Sequence, residues 1–427
     1  MARNFIIAGI AALGLMSCGG AKEPAVVENV VAYTKVADVG GLMVNAVEIT
    51  VSNPKSLRGL KAEDFDITNN VADGFVDAAT GAALEPYADD GIVVSRDKNT
   101  LRIEAKPFNA NGMRGRDWKS VPWELVCKAD SNLNVTIADV KEKRVEVLDD
   151  CIKGSFTYAG ITREYILHLP KDADGNVINN APLLVWQIGG GEYNRDLMTA
   201  VMANRCVVSL PEAGVPCATL MFAIANPNYS YSASLDLERI KLVDRNNALQ
   251  MAFIDTLIKE GKVDGSKLFC AGASSGGGCT MRFMMQFPDR FKAAIPCCAM
   301  DPIVPIHMVK EKYDGQFTDD LIKAFQGKVY KWNGLDMVLE DMDTKAFCNL
   351  PMFFVHAESD RTCKVISSHA YFNARKHLGA QNDKIEIYDD AYMQKYGIPT
   401  MISHFSWVPL LNDYSEGKAM DWLVKQM

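Results

Sequence analysis

Two adjacent serines lie in a glycine-rich stretch of the chain, "CAGASSGGGC", which begins at Cys270. A serine hydroxyl is a weak nucleophile at neutral pH and attacks a carbonyl carbon only when a base takes its proton. The pattern G-x-S-x-G, which puts a serine on a sharp turn between a strand and a helix, fits this stretch with Ser274 at its centre. A frame centred on Ser275 would need glycine at position 273, where the chain has alanine. The spacing therefore predicts Ser274 as a nucleophile and Ser275 as the residue that follows it.

An acid and a base that could activate this serine follow it along the chain. "LPMFFVHAESD" puts Asp360 just past an apolar run of strand length, and "MISHFSW" puts His404 in a late loop. A carboxylate that orients an imidazole allows the imidazole to take the serine proton. We predict a triad of Ser274, Asp360 and His404.

The acid and the base each also have a structural explanation, because a single aspartate in a loop often caps a turn and a single histidine is often structural. The joint occurrence of the three residue types in this order favours catalysis. Nearby residues could replace two of them: Glu358 is an alternative acid, and His356 and His369 are alternative bases.

Three glycines, Gly189 to Gly191, come directly after another apolar run in "LLVWQIGGGEY". Backbone N–H groups at glycines can face an incoming carbonyl oxygen without side-chain obstruction. We predict an oxyanion hole made by the N–H groups of Gly190, Gly191 and Ser275. The stretch does not match a phosphate-binding loop, since no lysine or G-x-G-x-x-G pattern follows. His and Cys residues are not spaced as metal ligands, so we expect no metal and no cofactor.

The elements that would position these residues can be predicted from the surrounding pattern. From residue 149 to 427, apolar runs of strand length alternate with helical patterns, which predicts an α/β fold with a mostly parallel sheet covered on both faces. Residues 301–344 do not fit the alternation. Two stretches there, "FTDDLIKAFQGKV" and "GLDMVLEDMDT", look like short helices, and the segment is either a lid over the site or a surface excursion.

Residues 30–148 have a different character, with short strand-like stretches and no long helix between them. "GIVVSRDKNTLRIEAKPF" reads as a hairpin that turns at residues 97–99. This pattern predicts a small β-sandwich in front of the α/β part. The length of 427 residues is compatible with two such domains.

The first residues, "MARNFIIAGIAALGLMSCGG", contain a short apolar run followed by Leu-Met-Ser-Cys. The run is too short for a membrane-spanning helix and is typical of a signal peptide. It resembles the signal of bacterial lipoproteins, which implies a signal peptide at residues 1–17, lipidation of Cys18, and a tether at residues 18–29. The protein would then be held by lipid in the bacterial cell envelope, in the periplasm or on the outer-membrane surface. A plain secretory signal with an incidental cysteine is the alternative.

The charge and the cysteines narrow the possibilities further. A net charge of −8 and a pI near 5.4 argue against a nucleic-acid partner. The chain has 11 cysteines, and assigning Cys18 to lipid leaves an even number for an oxidising envelope. We expect local disulfides between Cys206 and Cys217 and between Cys127 and Cys151, and a buried free thiol at Cys270.

Roughly residues 150–427 resemble α/β-hydrolase esterases related to feruloyl esterases, polyhydroxyalkanoate depolymerases and prolyl-oligopeptidase-like peptidases. "KLFCAGASSGGGCTMRFMMQFPDRFKAAIPCC" resembles their nucleophile block, "LPMFFVHAESDRTCKV" their acid block, and "SHFSW" their histidine block. The chain departs from the family at Ile188, Ala357 and Ser403, where histidine, glycine and glycine are usual. A β-sandwich before such a domain is similar to esterases with an immunoglobulin-like N-terminal domain.

The resemblance implies the same triad and glycine-loop roles that the residues predict. It implies a serine hydrolase that cleaves carboxylic esters through an acyl-enzyme, with an ester or an acylated oligosaccharide or polysaccharide as substrate. A prolyl-oligopeptidase-like serine peptidase is one alternative. A binding lipoprotein that keeps a hydrolase scaffold without catalysis is another.

Overall fold

A computed structural model describes residues 23–37, 41–69, 91–114, 117–193, 195–224, 237–300 and 319–427. The predicted signal peptide, Cys18 and the first part of the inserted segment, 301–318, lie outside these residues. The predicted tether ends earlier than residue 29, because the first strand begins at Val27 and is paired from there. None of the described helices has the length and apolar character needed to cross a bilayer.

The N-terminal part is built of strands that form two facing sheets. Its described elements are β1 (Val27–Val36), β2 (Leu42–Val51), β3 (Phe65–Asn69), β4 (Val93–Asp97), β5 (Thr100–Asn109), β6 (Asn111–Arg114), β7 (Asp117–Ser120), β8 (Trp123–Cys127), β9 (Val135–Thr136), β10 (Glu142–Val145) and the short helix α1 (Glu146–Asp149). One sheet has the order β10-β1-β2-β5-β4, another has the order β3-β8-β9, and β6 pairs with β7. Ile49 and Ile103 from the first sheet share one buried core with Ile67 and Leu125 from the second.

The hairpin predicted in this part is confirmed. β4 and β5 pair antiparallel around Lys98, whose φ of 50° lies in the left-handed region that tight turns use. The shared core of the two sheets is the arrangement expected of a β-sandwich.

The C-terminal part alternates strands and helices. Its described elements are β11 (Cys151–Tyr158), β12 (Ile161–His168), β13 (Ala181–Gln187), α2 (Leu197–Asn204), α3 (Cys206–Glu212), β14 (Ala218–Phe222), α4 (Leu237–Lys259), β15 (Val263–Ala273), α5 (Ser275–Gln286), β16 (Ala293–Cys297), α6 (Asp319–Phe325), β17 (Lys328–Trp332), β18 (Met337–Asp341), α7 (Thr344–Asn349), β19 (Phe353–Ala357), α8 (Ile366–His377), β20 (Lys384–Tyr388), α9 (Asp390–Lys395), α10 (Trp407–Asn412) and α11 (Ala419–Val424).

Eight of these strands form one sheet in the order β11-β12-β14-β13-β15-β16-β19-β20. β12 is antiparallel to both of its neighbours, and the other pairs are parallel. Successive residues of β15 enter different cores: Leu268 and Cys270 pack with α4 and α5, whereas Phe269 and Ala271 pack with α3 and α11. Both faces of the sheet are therefore covered, which is why these strands read as continuous apolar runs. The predicted α/β class and mostly parallel sheet are confirmed.

The inserted segment differs from its prediction in one element. The first expected helix is present as α6, but "GLDMVLEDMDT" forms strand β18, which pairs with β17 as a hairpin. The turn between them contains Asn333 and Gly334, and Gly334 has a φ of 96°. Asn-Gly between two alternating runs favours a tight hairpin turn, so the prediction of a second helix was wrong.

The described part of the insertion packs on the helical layer. Leu321 and Phe325 are fully buried, and the Phe325 ring contacts those of Phe347 and Tyr371 at centroid distances of 5.3 and 6.3 Å. A lid would need Leu321 and Phe325 to face a pocket, but both side chains pack in the protein core instead.

Both predicted disulfides are wrong, because the ten cysteines among the described residues are all free thiols. The Cys206 thiol contacts the Met221 sulfur at 3.4 Å, whereas the Cys217 thiol donates to the carbonyl oxygen of Pro182. Cys127 is buried in the sandwich core, and the Cys151 thiol donates to a backbone carbonyl four residues earlier. Spacing along the chain did not show that these side chains enter different packing environments. The expected free thiol at Cys270 is confirmed.

Candidate active site

Ser274 lies in the turn between β15 and α5, at the carboxyl edge of the parallel strands. Its backbone has φ 59° and ψ −124°, a conformation that non-glycine residues rarely adopt. Two hydrogen bonds hold the turn: the Ser274 N–H donates to the Cys297 carbonyl at 3.0 Å, and the Ser274 carbonyl accepts from the Met300 N–H at 2.9 Å. The strain is therefore maintained by the end of the neighbouring strand β16.

The glycines around Ser274 are required by close approach of backbone to backbone. A Cβ at Gly272 would lie 2.6 Å from the Gly276 carbonyl oxygen, and a Cβ at Gly276 would lie 2.0 Å from the Gln187 carbonyl oxygen. A Cβ at Gly277 would lie 2.5 Å from the Cys297 carbonyl oxygen. Helix α5 thus begins in direct contact with the ends of β13 and β16, as the G-x-S-x-G motif requires.

The predicted acid and base are in contact. His404 Nδ1 lies 2.7 Å from Asp360 Oδ2. Asp360 is buried, and its other carboxylate oxygen accepts the backbone N–H groups of Thr362 and Cys363 at 2.8 and 2.9 Å. The carboxylate is thereby held in one orientation, with an oxygen aimed at the imidazole.

A second imidazole, that of His356, contacts the same carboxylate oxygen. His356 Nε2 lies 3.2 Å from Asp360 Oδ2 and 2.8 Å from the Cys363 carbonyl oxygen, while its Nδ1 lies 2.8 Å from Ser368 Oγ. Because both neighbours of Nε2 are acceptors, this nitrogen carries the proton and donates it. His356 is fully buried and supports Asp360. The sequence had suggested it only as an alternative base.

The remaining candidate acid and candidate base are not part of this pair. Glu358 is exposed and outside the hydrogen-bond network of Asp360. His369 is half-buried on helix α8, and burial lowers its pKa. The structure therefore joins Asp360 with His404, as predicted, and leaves Glu358 and His369 apart from them.

The electrostatics of the pair suit a base held beside a charged acid. Burial would raise the pKa of Asp360, but hydrogen bonds from His356 and His404 hold it well below its usual range. Burial would lower the pKa of His404, but its interaction with Cys298 and the hydrogen bond and charge of Asp360 raise it overall. Because burial also raises the pKa of the Cys298 thiol well above 9.0, that thiol is neutral near pH 7 and Asp360 is the partner that acts there.

Two thiols lie between the nucleophile and the acid–base pair. Cys298 Sγ is 3.3 Å from the Ser274 N–H nitrogen, and Cys363 Sγ is 4.0 Å from Ser274 Oγ. One ligand atom each from Cys298, Asp360 and His404 lie within 4.8 Å of one another. Within the part of the chain that the structure describes, no hydrogen bond joins Ser274 Oγ to His404. Such catalytic hydrogen bonds often tighten only when substrate binds.

The same three groups form a cluster that could bind a cation, since thiol, carboxylate and imidazole are common ligands. However, both oxygens of Asp360 already accept hydrogen bonds from backbone N–H groups and imidazoles. We therefore assign the cluster to the acid–base pair.

The glycine loop after β13 lies against the nucleophile turn. A Cβ at Gly189 would be 3.8 Å from Ser274 Cβ. Gly190 begins a short 3₁₀ turn that ends at Glu192, and the Glu192 N–H donates to the Gly189 carbonyl at 3.1 Å. The N–H groups of Gly190 and Gly191 fall in the first turn of this element, where N–H groups have no intrahelical acceptor.

Ser275 has the corresponding place at the first position of α5. The three residues predicted to form an oxyanion hole thus all lie in first turns, Ser275 directly after Ser274 and the two glycines directly after Gly189. Their role in binding an oxyanion stays a prediction.

Sequence reasoning missed one further residue of the loop, Glu192. Glu192 is 8% exposed, and burial raises its pKa to about 7. Oε2 accepts the Gly189 N–H at 2.8 Å, and Oε1 accepts the side-chain amide of Asn204 at 3.0 Å. An acidic residue directly after a glycine run that ends a buried strand was the available signal.

Aromatic side chains support the histidine loop. The ring of Trp407 meets that of His404 edge-on at a centroid distance of 5.5 Å. The Trp407 indole donates to the Ala203 carbonyl at 3.0 Å, which ties this loop to the end of helix α2. Phe405 packs on Trp407 at 4.6 Å.

Comparisons with known proteins agree with this architecture. A sequence model of the prolyl oligopeptidase family matches residues 243–392, which include Ser274 and Asp360. A search of curated protein sequences found no match.

The crystal structure of a thermostable esterase is 19% identical, with a TM-score of 0.63 over 93% of this chain and 99% of that chain. Est1E from Butyrivibrio proteoclasticus is 18% identical, with a TM-score of 0.36 over 56% of this chain and 88% of that chain. A ferulic acid esterase is 16% identical, with a TM-score of 0.39 over 59% and 97%. The first of these shares the fold over nearly the whole of both chains. Together with the family match, it confirms the α/β-hydrolase fold predicted from the sequence.

Proposed function

We propose that this α/β-hydrolase is a serine hydrolase that cleaves carboxylic esters through an acyl-enzyme. The observation that carries the proposal is the buried 2.7 Å contact between Asp360 and His404 beside a strained serine turn. A carboxylate that orients an imidazole next to a nucleophile is the arrangement that acyl transfer needs.

In the proposed mechanism Ser274 Oγ attacks the ester carbonyl carbon while His404 takes its proton. Asp360 keeps the imidazole oriented and stabilises its charged form. The N–H groups of Ser275, Gly190 and Gly191 stabilise the negative oxygen of the tetrahedral intermediate. His404 then donates the proton to the leaving alcohol, and a water molecule, activated by the same imidazole, releases the acid from Ser274.

The test is turnover of p-nitrophenyl acetate together with labelling by a fluorophosphonate probe. Ser274→Ala should lower kcat by about 10³-fold or more and abolish labelling, since the nucleophilic atom is removed. Ser275→Ala is the matched control, because its proposed role uses only the backbone N–H, and it should keep both. Equal rates for Ser274→Ala and the wild type would refute the proposal.

The substrate class proposed is an acylated oligosaccharide or polysaccharide, on the strength of the resemblance to feruloyl esterases and of the predicted envelope location. A panel of acetyl, feruloyl and longer acyl esters, free and on oligosaccharides, tests this. Preference for simple alkyl esters over every sugar ester would contradict it.

A serine peptidase is a second candidate, favoured by the match of residues 243–392 to the prolyl oligopeptidase family. Peptide p-nitroanilides cleaved faster than p-nitrophenyl esters would support it. A folded protein that neither hydrolyses these substrates nor reacts with the fluorophosphonate would instead support a non-catalytic binding lipoprotein.

We further propose that Cys18 carries lipid and holds the protein in the bacterial envelope, in front of an immunoglobulin-like domain. The support is the sequence Leu-Met-Ser-Cys after a short apolar run, and the two facing sheets of the N-terminal part. Metabolic labelling with a fatty acid should mark the wild type and not Cys18→Ser. Equal labelling of both would remove the anchor from the proposal.

A further inference from the structure

The glycine loop beside the nucleophile is closed by a buried carboxylate whose two neighbours are both hydrogen-bond donors. Glu192 Oε2 accepts the Gly189 N–H at 2.8 Å, and Oε1 accepts the Asn204 Nδ2 at 3.0 Å. The orientation of the Asn204 amide is set independently, because its Oδ1 accepts the Cys206 N–H at 3.1 Å. Asn204 therefore presents a donor to residue 192.

This arrangement is costly in free energy, which makes a purely incidental carboxyl a poor explanation. Burial disfavours the charged form of Glu192, and the pKa rises to about 7 although the bonds from Asn204 and Gly189, and the charge of Arg195, lower it. A neutral side chain would avoid this cost. What the carboxylate provides is two acceptor atoms at once, one for the loop and one for helix α2.

Glu192 connects Gly189 with Asn204, and the Gly189 end of this connection lies beside Ser274. Gly189 is the residue whose Cβ would approach Ser274 Cβ to 3.8 Å, and its N–H is the group that Glu192 holds. Gly190 and Gly191 lie in the chain between Gly189 and Glu192, which are hydrogen-bonded to each other, so the directions of their N–H groups depend on that bond. The other oxygen of Glu192 is bonded to Asn204, the last residue of α2.

We propose that Glu192 is a positioning residue for the oxyanion hole: its carboxylate ties Gly189 to Asn204 and so holds the N–H groups of Gly190 and Gly191 toward the reacting carbonyl. The proposal rests on the proposed esterase function, since it assigns the loop to that reaction. Glu192 itself does not touch substrate.

The alternative is that Glu192 only braces the fold. A brace would affect the stability of the protein and leave the rate per folded molecule unchanged. A positioning residue would lower kcat with little change in KM, because the oxyanion forms only in the transition state.

The test is an exchange of hydrogen-bond partners. In Glu192→Gln the new amide can accept from Gly189 only by turning its NH₂ toward the NH₂ of Asn204, which sets two donors against each other. In Asn204→Asp two carboxylates face each other. In the double variant Glu192→Gln/Asn204→Asp, the introduced glutamine accepts from the Gly189 N–H and donates to the introduced aspartate, which also accepts the Cys206 N–H. The network and its single charge are then restored with the roles exchanged.

We expect Glu192→Gln to lower kcat for p-nitrophenyl acetate about 10- to 100-fold with KM within about threefold, because it loosens oxyanion donors without removing them. Asn204→Asp should also lose activity, and the double variant should recover most of it. Asp196→Asn is the matched control: it removes a nearby charge, keeps the cap on the Thr199 N–H, and should retain kcat. All variants are compared at equal folded fraction, measured by thermal unfolding.

Hydrogen exchange at the amides of residues 189–191 measures how well the glycine loop is ordered, independently of any enzymatic activity. Exchange should be faster in Glu192→Gln and return toward the wild-type rate in the double variant. If the wild type hydrolyses no ester, the proposed function fails, and the exchange rates still decide whether Glu192 orders the loop. A folded Glu192→Gln with wild-type kcat, or with unchanged exchange at these amides, would overturn the positioning role. A double variant that recovers neither kcat nor the wild-type exchange rates would also overturn it.

Discussion

His356 Nε2 lies 3.2 Å from Asp360 Oδ2, the same carboxylate oxygen that contacts the imidazole of His404, the proposed base. One oxygen thus accepts from two histidines, of which His356 is fully buried. The buried histidine is held from its other side by Ser368. We infer that Asp360, the proposed acid, is oriented by His356, which Ser368 of helix α8 holds in turn.

Replacing His356 should loosen the orientation of the Asp360 carboxylate while leaving the carboxylate in place. His356→Leu deletes the donor to Asp360, and we expect kcat for p-nitrophenyl acetate to fall about tenfold, with stability reduced by about 2–3 kcal/mol because Ser368 loses its partner. His356→Gln can still donate to the carboxylate and should lose less. Equal activity of both variants and the wild type would show that Asp360 needs no such support.

The pH dependence of the reaction should report His404. Its pKa is raised above 6.5, and only the neutral imidazole can take the serine proton. The value of kcat/KM should therefore fall as the pH drops through the raised pKa, with the acid limb above pH 6.5.

Asp360→Asn checks the assignment of this limb, because it removes the charge that raises the pKa and leaves the lowering effect of burial. The acid limb should move to lower pH, and the plateau rate should drop about 10³- to 10⁴-fold. A limb that stays in place in this variant would belong to another group. The measurement is a pH–rate profile of both proteins with the same ester.

The glycine at position 276 should be essential for folding, and the one at 191 should not. A Cβ at Gly276 would lie 2.0 Å from a backbone oxygen of Gln187, which has no means of moving aside. Gly276→Ala should destabilise the protein by about 3 kcal/mol or more, or prevent its folding, as overpacked sites do. Gly191→Ala is the control, because a Cβ there meets nothing within 4 Å. Thermal unfolding compares the two, and equal transitions would contradict the close packing of the turn.

The hairpin β17–β18 should contribute stability and leave ester selectivity unchanged. Its Tyr330 N–H donates to Asp244 at 2.9 Å, and Asp244 forms a buried ion pair with Arg282 at 2.6 Å. Arg282 lies on helix α5, eight residues after Ser274, which precedes the first helical residue. Eight residues span about 12 Å along a helix axis, so the hairpin docks away from the nucleophile.

Arg282→Ala would leave the carboxylate of Asp244 buried without its partner, and we expect a loss of about 3–5 kcal/mol in unfolding free energy. The relative kcat/KM values across acetyl, butyryl and longer acyl esters should not change in the folded protein. A changed chain-length preference would mean that this part of the insertion reaches the substrate, as the lid interpretation predicted.

The strained turn at Ser274 could be predicted from the sequence because it depends on a local pattern. The glycines that flank Ser274 are required by contacts within one turn and its adjoining helix, so the motif and its backbone conformation occur together. The strand, the turn and the helix are also local, and their alternation led to the correct α/β class. Asp360 and His404 follow from their order after the serine.

The tertiary structure alone decided which groups meet. The sequence around Asp360 contains two histidines within reach as bases, and only the packing of β19 against α8 shows that His356 is buried as a support. The cysteines expected to pair lie close along the chain but pack into separate environments. Glu192 and Asn204 are joined across a loop and a helix, and a buried carboxylate is recognised only when its surroundings are known. The spacing of residues along the chain determines local backbone conformation. Which side chains contact one another, and which are buried, depends on the surfaces that the whole fold brings together.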